Sequence, residues 1–165
     1  RMLVAAGIAR DVDDGKARMK HALESGAGLA KLKEMIAAQG GDAGVCDDVT
    51  RLPQAKHLVP VPAPHDGYVA DMDTTAIGYC AQDLGAGRKQ KTDVIDPAVG
   101  LVMNVRIGDF VKQGDALATL HLNKPEQAER AIARMQQAVK LTADKPAIPP
   151  LVYASVSPEG VARGM

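Results

Sequence analysis

Ala63-Pro64-His65-Asp66-Gly67-Tyr68-Val69 opens a segment that continues through Leu84-Gly85-Ala86-Gly87-Arg88-Lys89 and Ile95-Asp96-Pro97-Ala98-Val99-Gly100. It closes on Gly108-Asp109-Phe110-Val111-Lys112-Gln113-Gly114-Asp115-Ala116-Leu117. Glycine and aspartate recur where the chain must reverse, because glycine tolerates positive φ and aspartate hydrogen-bonds turn backbone. Between the reversals lie apolar runs of strand length. Gly67 to Met72 reads as a strand, after which Asp73 or Thr74 caps a short helix that carries Ile77, Cys80 or Ala81, and Leu84 on one face and ends at Gly85. From Gly100 to Ile107 the residues alternate. Leu101, Met103, Val105 and Ile107 face one way and Val102, Asn104 and Arg106 the other, the period of a half-buried strand. Ala118, Leu120 and Leu122 repeat the pattern. The similar turns Gly108-Asp109 and Gly114-Asp115 bracket Phe110-Val111, as expected of a small barrel or sandwich of hairpins.

Working outward towards the N-terminus, Pro53, Pro60, Pro62 and Pro64 interrupt Asp42 to Pro64 with missing backbone donors. That stretch reads as a linker, with Leu58 to Val61 an edge strand at most. Before it, a helix capped by Asp11, Asp13 or Asp14 runs to about Ser25 and stops at Gly26. A second carries Leu29, Leu32, Met35 and Ile36 and stops at Gly40-Gly41, giving an αα-hairpin. Asp11-Val12-Asp13-Asp14-Gly15 looks superficially like a calcium loop, but Gly15 takes a ligand position, so helix capping is the reading. Arg1 to Gly7 reads as the end of a buried helix entered midway, and the sequence is expected to be a piece of a longer protein.

Towards the C-terminus, Pro125 and Glu126 start a helix with Ala128, Ile132, Met135 and Val139 in a stripe and an i, i+4 pair between Glu126 and Arg130. Beyond Pro146, Pro149 and Pro150, Leu151 to Val156 reads as a last strand. Residues 157–165 are expected to be a fraying tail. The fold class is α+β: short helices followed by a β-rich C-terminal module.

Composition excludes several functions. Apolar residues are 46% and charged residues 24%, as in a globular protein. Twenty basic and twenty acidic residues cancel, and Phe110, Tyr68, Tyr79 and Tyr153 are the only aromatics, so neither a basic field nor stacking platforms point to nucleic acid. No apolar run reaches the 18 residues or so that a membrane span needs. Cys46 and Cys80 lie far apart in sequence, which gives neither a zinc knuckle nor a dithiol motif and reads as two reduced thiols in a cytoplasmic protein.

The chemistry-bearing motifs are few. Gly85-Ala86-Gly87-Arg88 follows a helix rather than opening one, so its amides lack the dipole that favours phosphate, and a structural turn is the stronger reading. Asp93 and Asp96 read as turn formers rather than paired catalytic carboxylates. His21, His57, His65 and His121 have no partner at a fixed spacing, and a Gly-x-Ser-x-Gly elbow is absent.

Taken in order, Gly67-Tyr68-Val69, Ile77-Gly78, Leu84-Gly85-Ala86-Gly87-Arg88, Asp93-x-Ile95-Asp96-x-x-Val99-Gly100 and Gly108-Asp109-x-Val111-x-x-Gly114-Asp115-x-Leu117-Ala118 closely resemble the C-terminal domain of pyrimidine-nucleoside and thymidine phosphorylases. Ala38-Gln39-Gly40-Gly41-Asp42 and Leu52-Pro53-Gln54-Ala55 look like the same family, so the resemblance covers about Met2 to Tyr153. It implies a cytoplasmic, homodimeric pentosyltransferase that exchanges phosphate with the base of a pyrimidine nucleoside to give free base and pentose 1-phosphate. Phosphate is then a co-substrate, and no cofactor is expected in this piece. Residues 1–59 would be the end of an α/β phosphate-binding domain plus linker, 60–156 a hammerhead-like, barrel-sandwich C-terminal module, and 157–165 a tail. The family's Lys-His-Ser-Thr-Gly-Gly and Ser-Gly-Arg-Gly motifs have no counterpart here, so no catalytic, substrate-binding or metal residue carries over. Gly85, Gly87, Arg88, Asp93, Asp96 and Gly100 are the family-matching positions, expected in structural or domain-contact roles. Two alternatives stand beside this: a biotinyl- or lipoyl-like carrier, which shares the Gly-Asp-x-Val-x-x-Gly-Asp turn but lacks its lysine where Met103-Asn104-Val105 stands, and a stand-alone interaction module.

Overall fold

The computed structural model describes residues 1–158 and 160–163 and divides into two compact units, Arg1–Pro53 and Gln54–Met165. The first unit is helical. Asp11 caps α2 (Val12–Glu24) by accepting the Asp14 N–H at 2.8 Å, and the Asp14 carboxylate takes the Arg10 N–H and the Arg18 Nε. Those bonds, the Arg10 amide first, hold the Asp14 carboxyl below its ordinary pKa. The sequence at Asp11 to Gly15 is therefore a helix start. Gly26, at φ 77°, turns the chain into α3 (Ala27–Ala38), and Gly40, also at φ 77°, follows its end. The expected stripe of α3 is helical but not buried: Leu29, Leu32 and Met35 stay exposed. The expected buried helix at the start is corrected likewise. It is the single turn α1 (Met2–Ala5), with Met2 exposed and no buried residue. Two short 3₁₀ turns, Ala43–Cys46 and Val49–Arg51, begin on Asp42 and Asp48, each of which accepts an N–H two residues on.

The second unit holds two three-stranded antiparallel sheets. β1 (His57–Pro62), β5 (Ala116–Leu122) and β3 (Gly100–Met103) form one, with β5 central. β4 (Phe110–Val111), β2 (Gly67–Met72) and β6 (Val139–Thr142) form the other, with β2 central. β1 carries Pro60 and Pro62 and is an edge strand, where missing donors are tolerated, and its register with β5 shifts between Val61 and Pro62. Two turns of the same design tie the sheets' connections. In each, an Asp N–H bonds the carbonyl three residues back and its carboxylate accepts that residue's N–H: Asp109 with Arg106, Asp115 with Lys112. The glycine between has φ 96° at Gly108 and 90° at Gly114, the left-handed position of a type II turn. Each turn is also clasped by a residue of the preceding segment. Gly108 N–H bonds Val69 C=O while Val69 N–H bonds Asp109 C=O; Gly114 and Asp115 bond Ala63 in the same way.

The core is aliphatic. Val61, Val69, Leu117, Leu120, Leu122, Met135 and Cys80 are fully enclosed, while Tyr68 and Phe110 make an edge-on contact outside it with centroids 5.0 Å apart. α4 (Thr74–Ala81), capped by the Asp73 carboxylate on the Ala76 N–H, and α5 (Ala128–Ala138) pack on it. The alternation read from Gly100 to Ile107 persists in burial, yet the strand ends at Met103, and the Asn104 N–H to the Leu117 carbonyl is one last bond in the same register. The α5 stripe centres on Ala131, Met135 and Ala138. Glu126 does not pair with Arg130: it lies in a 3₁₀ turn, Pro125–Gln127, where the i, i+4 alignment of an α-helix is absent. The expected last strand is β7 (Ala154–Ser157), and it pairs with β8 (Gly160–Arg163) in a hairpin, so the described part of the expected tail is ordered by cross-strand bonds. Glu159, Gly164 and Met165 of that tail lie outside the described residues. Among the described residues no helix is long and apolar enough to cross a membrane.

Candidate functional site

α4 ends in a wide π-type turn, Gln82–Ala86, in which Gly85 takes φ 112°, a conformation L side chains rarely adopt. This releases the chain into the loop that runs to β3. The loop is stitched by its own aspartates. Asp93 accepts the Lys89 and Gln90 N–H groups, both at 3.0 Å. Asp96 accepts the Ala98 N–H at 3.0 Å and the Asn123 side-chain amide at 2.8 Å, and its own N–H returns to the Gly85 carbonyl. The Ala98 bond foremost, then Asn123, holds the Asp96 carboxyl below its ordinary value. The Gln82 side chain donates to the Arg88 carbonyl at 2.6 Å and lies against Gly87, where a Cβ would stand 3.2 Å from Gln82 Cγ. Gly100 closes the loop at φ 152°.

Beneath this loop Asp83 gathers three cations. Arg134 Nη1 donates to its Oδ2 at 2.5 Å, Arg130 stands at 3.9 Å, and the Lys89 ammonium holds the other oxygen. The Lys89 hydrogen bond, assisted by the charges of Lys89, Arg134 and Arg130, outweighs partial burial and depresses the Asp83 pKa. These side chains border a cavity of about 250 Å³ that Cys80, Leu84, Glu126 and Gln127 also line. The Cys80 thiol points to the Ala131 carbonyl at 3.8 Å, and burial pushes its pKa up, which makes it a packing residue rather than a nucleophile.

Of the residues singled out in the sequence, Gly85, Gly87, Asp93, Asp96 and Gly100 come together as the scaffold of one loop. The two carboxylates are spent on turn backbone. Arg88 is exposed, and among the described residues its guanidinium has no hydrogen-bond or ion-pair partner. Asn104, where a carrier domain would present lysine, is tied to Thr119 Oγ1 at 3.1 Å. Among the described residues no group of three or more His, Cys, Asp or Glu is placed to hold a metal. Sequence reading missed the Asp83 cluster. The i, i+4 spacing of Arg130 and Arg134 was a signal for two guanidiniums on one helix face, but Asp83 lies 51 residues from Arg134.

The family model described as "Pyrimidine nucleoside phosphorylase C-terminal domain" matches residues 68–142, which run from β2 to the end of β6 and include the whole loop. The chain is 37% identical over 156 residues to a pyrimidine-nucleoside phosphorylase of Geobacillus stearothermophilus and 35% identical over 157 residues to that of Bacillus subtilis. A Staphylococcus aureus pyrimidine-nucleoside phosphorylase is 36% identical over 157 residues. These alignments take in 94 to 95% of the chain, and the chain spans about 36% of the length of these curated relatives. Over residues 68–142, this chain is thus similar to the pyrimidine nucleoside phosphorylase C-terminal domain.

Proposed function

We propose that this chain works as the C-terminal part of a pentosyltransferase that reversibly phosphorolyses pyrimidine nucleosides to free base and pentose 1-phosphate. The observation that carries the reading is the identity to phosphorylases along 94 to 95% of the chain. Inorganic phosphate is the co-substrate and the working enzyme is a cytoplasmic homodimer. In this reading residues 1–59 end the α/β phosphate-binding domain and its linker, and 60–156 form the hammerhead-like, barrel-sandwich module. The chemistry belongs to residues outside these 165, since nothing in the loop or the Asp83 cluster offers a nucleophile or a free general base.

The domain's part in the reaction is support. A developing oxocarbenium and a departing pyrimidine anion need water kept out, which requires a cleft that closes. Arg88 is the residue assigned to the domain contact: its loop is fixed by Asp93 and Asp96, while its guanidinium is exposed and free of partners among the described residues. Uridine and thymidine phosphorolysis is to be measured for the 165-residue chain and for the complete enzyme with and without Arg88→Ala. The expected results are no turnover by the chain alone, and a lower rate for the variant enzyme with unchanged melting of the domain. Turnover by the 165-residue chain overturns the assignment of catalysis elsewhere, and unchanged kinetics of the variant return Arg88 to the surface.

A further inference from the structure

We propose that the cavity beside Asp83 is a binding site for a small phosphate monoester that also carries hydroxyl groups, a sugar phosphate in class. It is a site separate from the chemistry proposed above and does not depend on it. The cavity holds donors and acceptors side by side. Lys89, Arg130 and Arg134 are drawn together on Asp83 from the loop and from two successive turns of α5. The turn that leads into α5 adds the Glu126 carboxylate and Gln127 to the same lining.

Three cations against the two carboxylates Asp83 and Glu126 leave the cavity one positive charge in excess. Asp83 does not exhaust its partners. Arg134 reaches it through one nitrogen, and Arg130, 84% exposed and 3.9 Å away, keeps nearly all its donors. A guanidinium has five N–H groups and an ammonium three, so an anion with three terminal oxygens finds donors from three directions. Beside them is an acceptor in need of a donor. Gln127 gives its amide N–H to the Asp83 carbonyl at 3.2 Å, and its Oε1, shielded from solvent, has no hydrogen-bond partner. A buried acceptor left unpaired is costly, and a ligand hydroxyl removes that cost. An amino acid would place its ammonium against the surplus positive charge and gain nothing from it, whereas a dianion gains from all three cations. The volume of about 250 Å³ suits a pentose or hexose phosphate.

The experiment is titration of the 165-residue chain with ribose 5-phosphate, inorganic phosphate and L-serine, followed by calorimetry and by backbone and side-chain ¹H–¹⁵N shifts. Ribose 5-phosphate is expected to saturate one site, with shifts concentrated on the Lys89 amide, the Gln127 side-chain amide and the Arg130 and Arg134 Nε–H groups. Inorganic phosphate should bind about 3- to 10-fold more weakly, the worth of one hydrogen bond to a neutral acceptor. Gln127→Leu should abolish that difference while keeping phosphate binding, and Arg134→Gln should weaken both by roughly 10- to 100-fold. Non-saturating shifts spread over surface lysines, equal affinity for the two phosphates, a Gln127→Leu chain that still prefers the sugar phosphate, or tighter binding of L-serine would each overturn the proposal. Because the 165-residue chain is tested without catalysis, the outcome is independent of whether phosphorolysis is observed.

Discussion

Replacing Gly114 by Ala tests whether the paired Gly-Asp turns hold the second unit together. Gly114 has φ 90° and no heavy atom within 4 Å of the point where a Cβ would sit, so the substitution meets no clash and its cost is conformational alone. An L residue in the left-handed region costs about 1–2 kcal/mol. For a unit of this size, about 4 °C of melting temperature goes with each kcal/mol, and the expected loss is roughly 4–8 °C. Gly114→Asn should lose about half as much, since asparagine enters that region more readily. Gly108→Ala carries the same backbone cost at φ 96°. Its Cβ would also lie 2.8 Å from Ile148 Cγ1 and Cδ1, the far end of an exposed side chain that can swing aside, so it should fall within about 1 kcal/mol of Gly114→Ala. Tyrosine fluorescence is the right probe, because Tyr68, Tyr79 and Tyr153 all lie in the second unit and none in the first. A Gly114→Ala chain that melts within a degree of the parent, or above it, would refute the reasoning. Equal losses for Ala and Asn would refute its conformational basis.

Two further outcomes follow from single groups. Asp96 has a depressed folded pKa, so the stability it lends is complete above the ordinary carboxylate pKa of about 3.9 and is lost as pH falls through the lower folded value; Asp96→Asn should therefore flatten the acid limb of the pH–stability curve below about pH 4, read by tyrosine fluorescence in urea, and an unchanged limb would contradict the assignment. Cys46, partly exposed, should react with a thiol reagent in the native chain, while Cys80, buried and with a raised pKa, should react only on unfolding; two thiols titrating at once under native conditions would show the core to be open.

What could be read from sequence was what is decided locally. Asp11 and Asp73 announce helix starts, Gly26 and Gly40 helix ends, and Gly-Asp with a residue three before it announces a turn, because each device is complete within four residues. β5 was legible from alternation, and β2 as a short run of strand length between turn residues. The Gly100–Ile107 run shows the limit of that signal. Burial alternates to the end, but only pairing with β5 decides that the strand stops at Met103. Nothing local marks β1 as the partner of β5, or β6 as the partner of β2. The loop's glycines and aspartates were found because their spacing is their function, whereas the Asp83 cluster joins three separate stretches of chain and leaves no periodic trace. The αα-hairpin carries a different lesson: helical spacing at Leu29, Leu32 and Met35 specified the helix without specifying its burial.

The prolines of β1 bear on how this β-rich unit behaves in a crowd. A sheet border with every amide proton in place is a template that a neighbouring molecule can extend, one copy after another. At Pro60 and Pro62 two of the six residues of the border strand have no such proton to offer. A chance encounter along that rim finds a broken ladder and gains too little to persist. Along this rim, resistance to strand addition is thus fixed covalently in the backbone, unaffected by pH or salt.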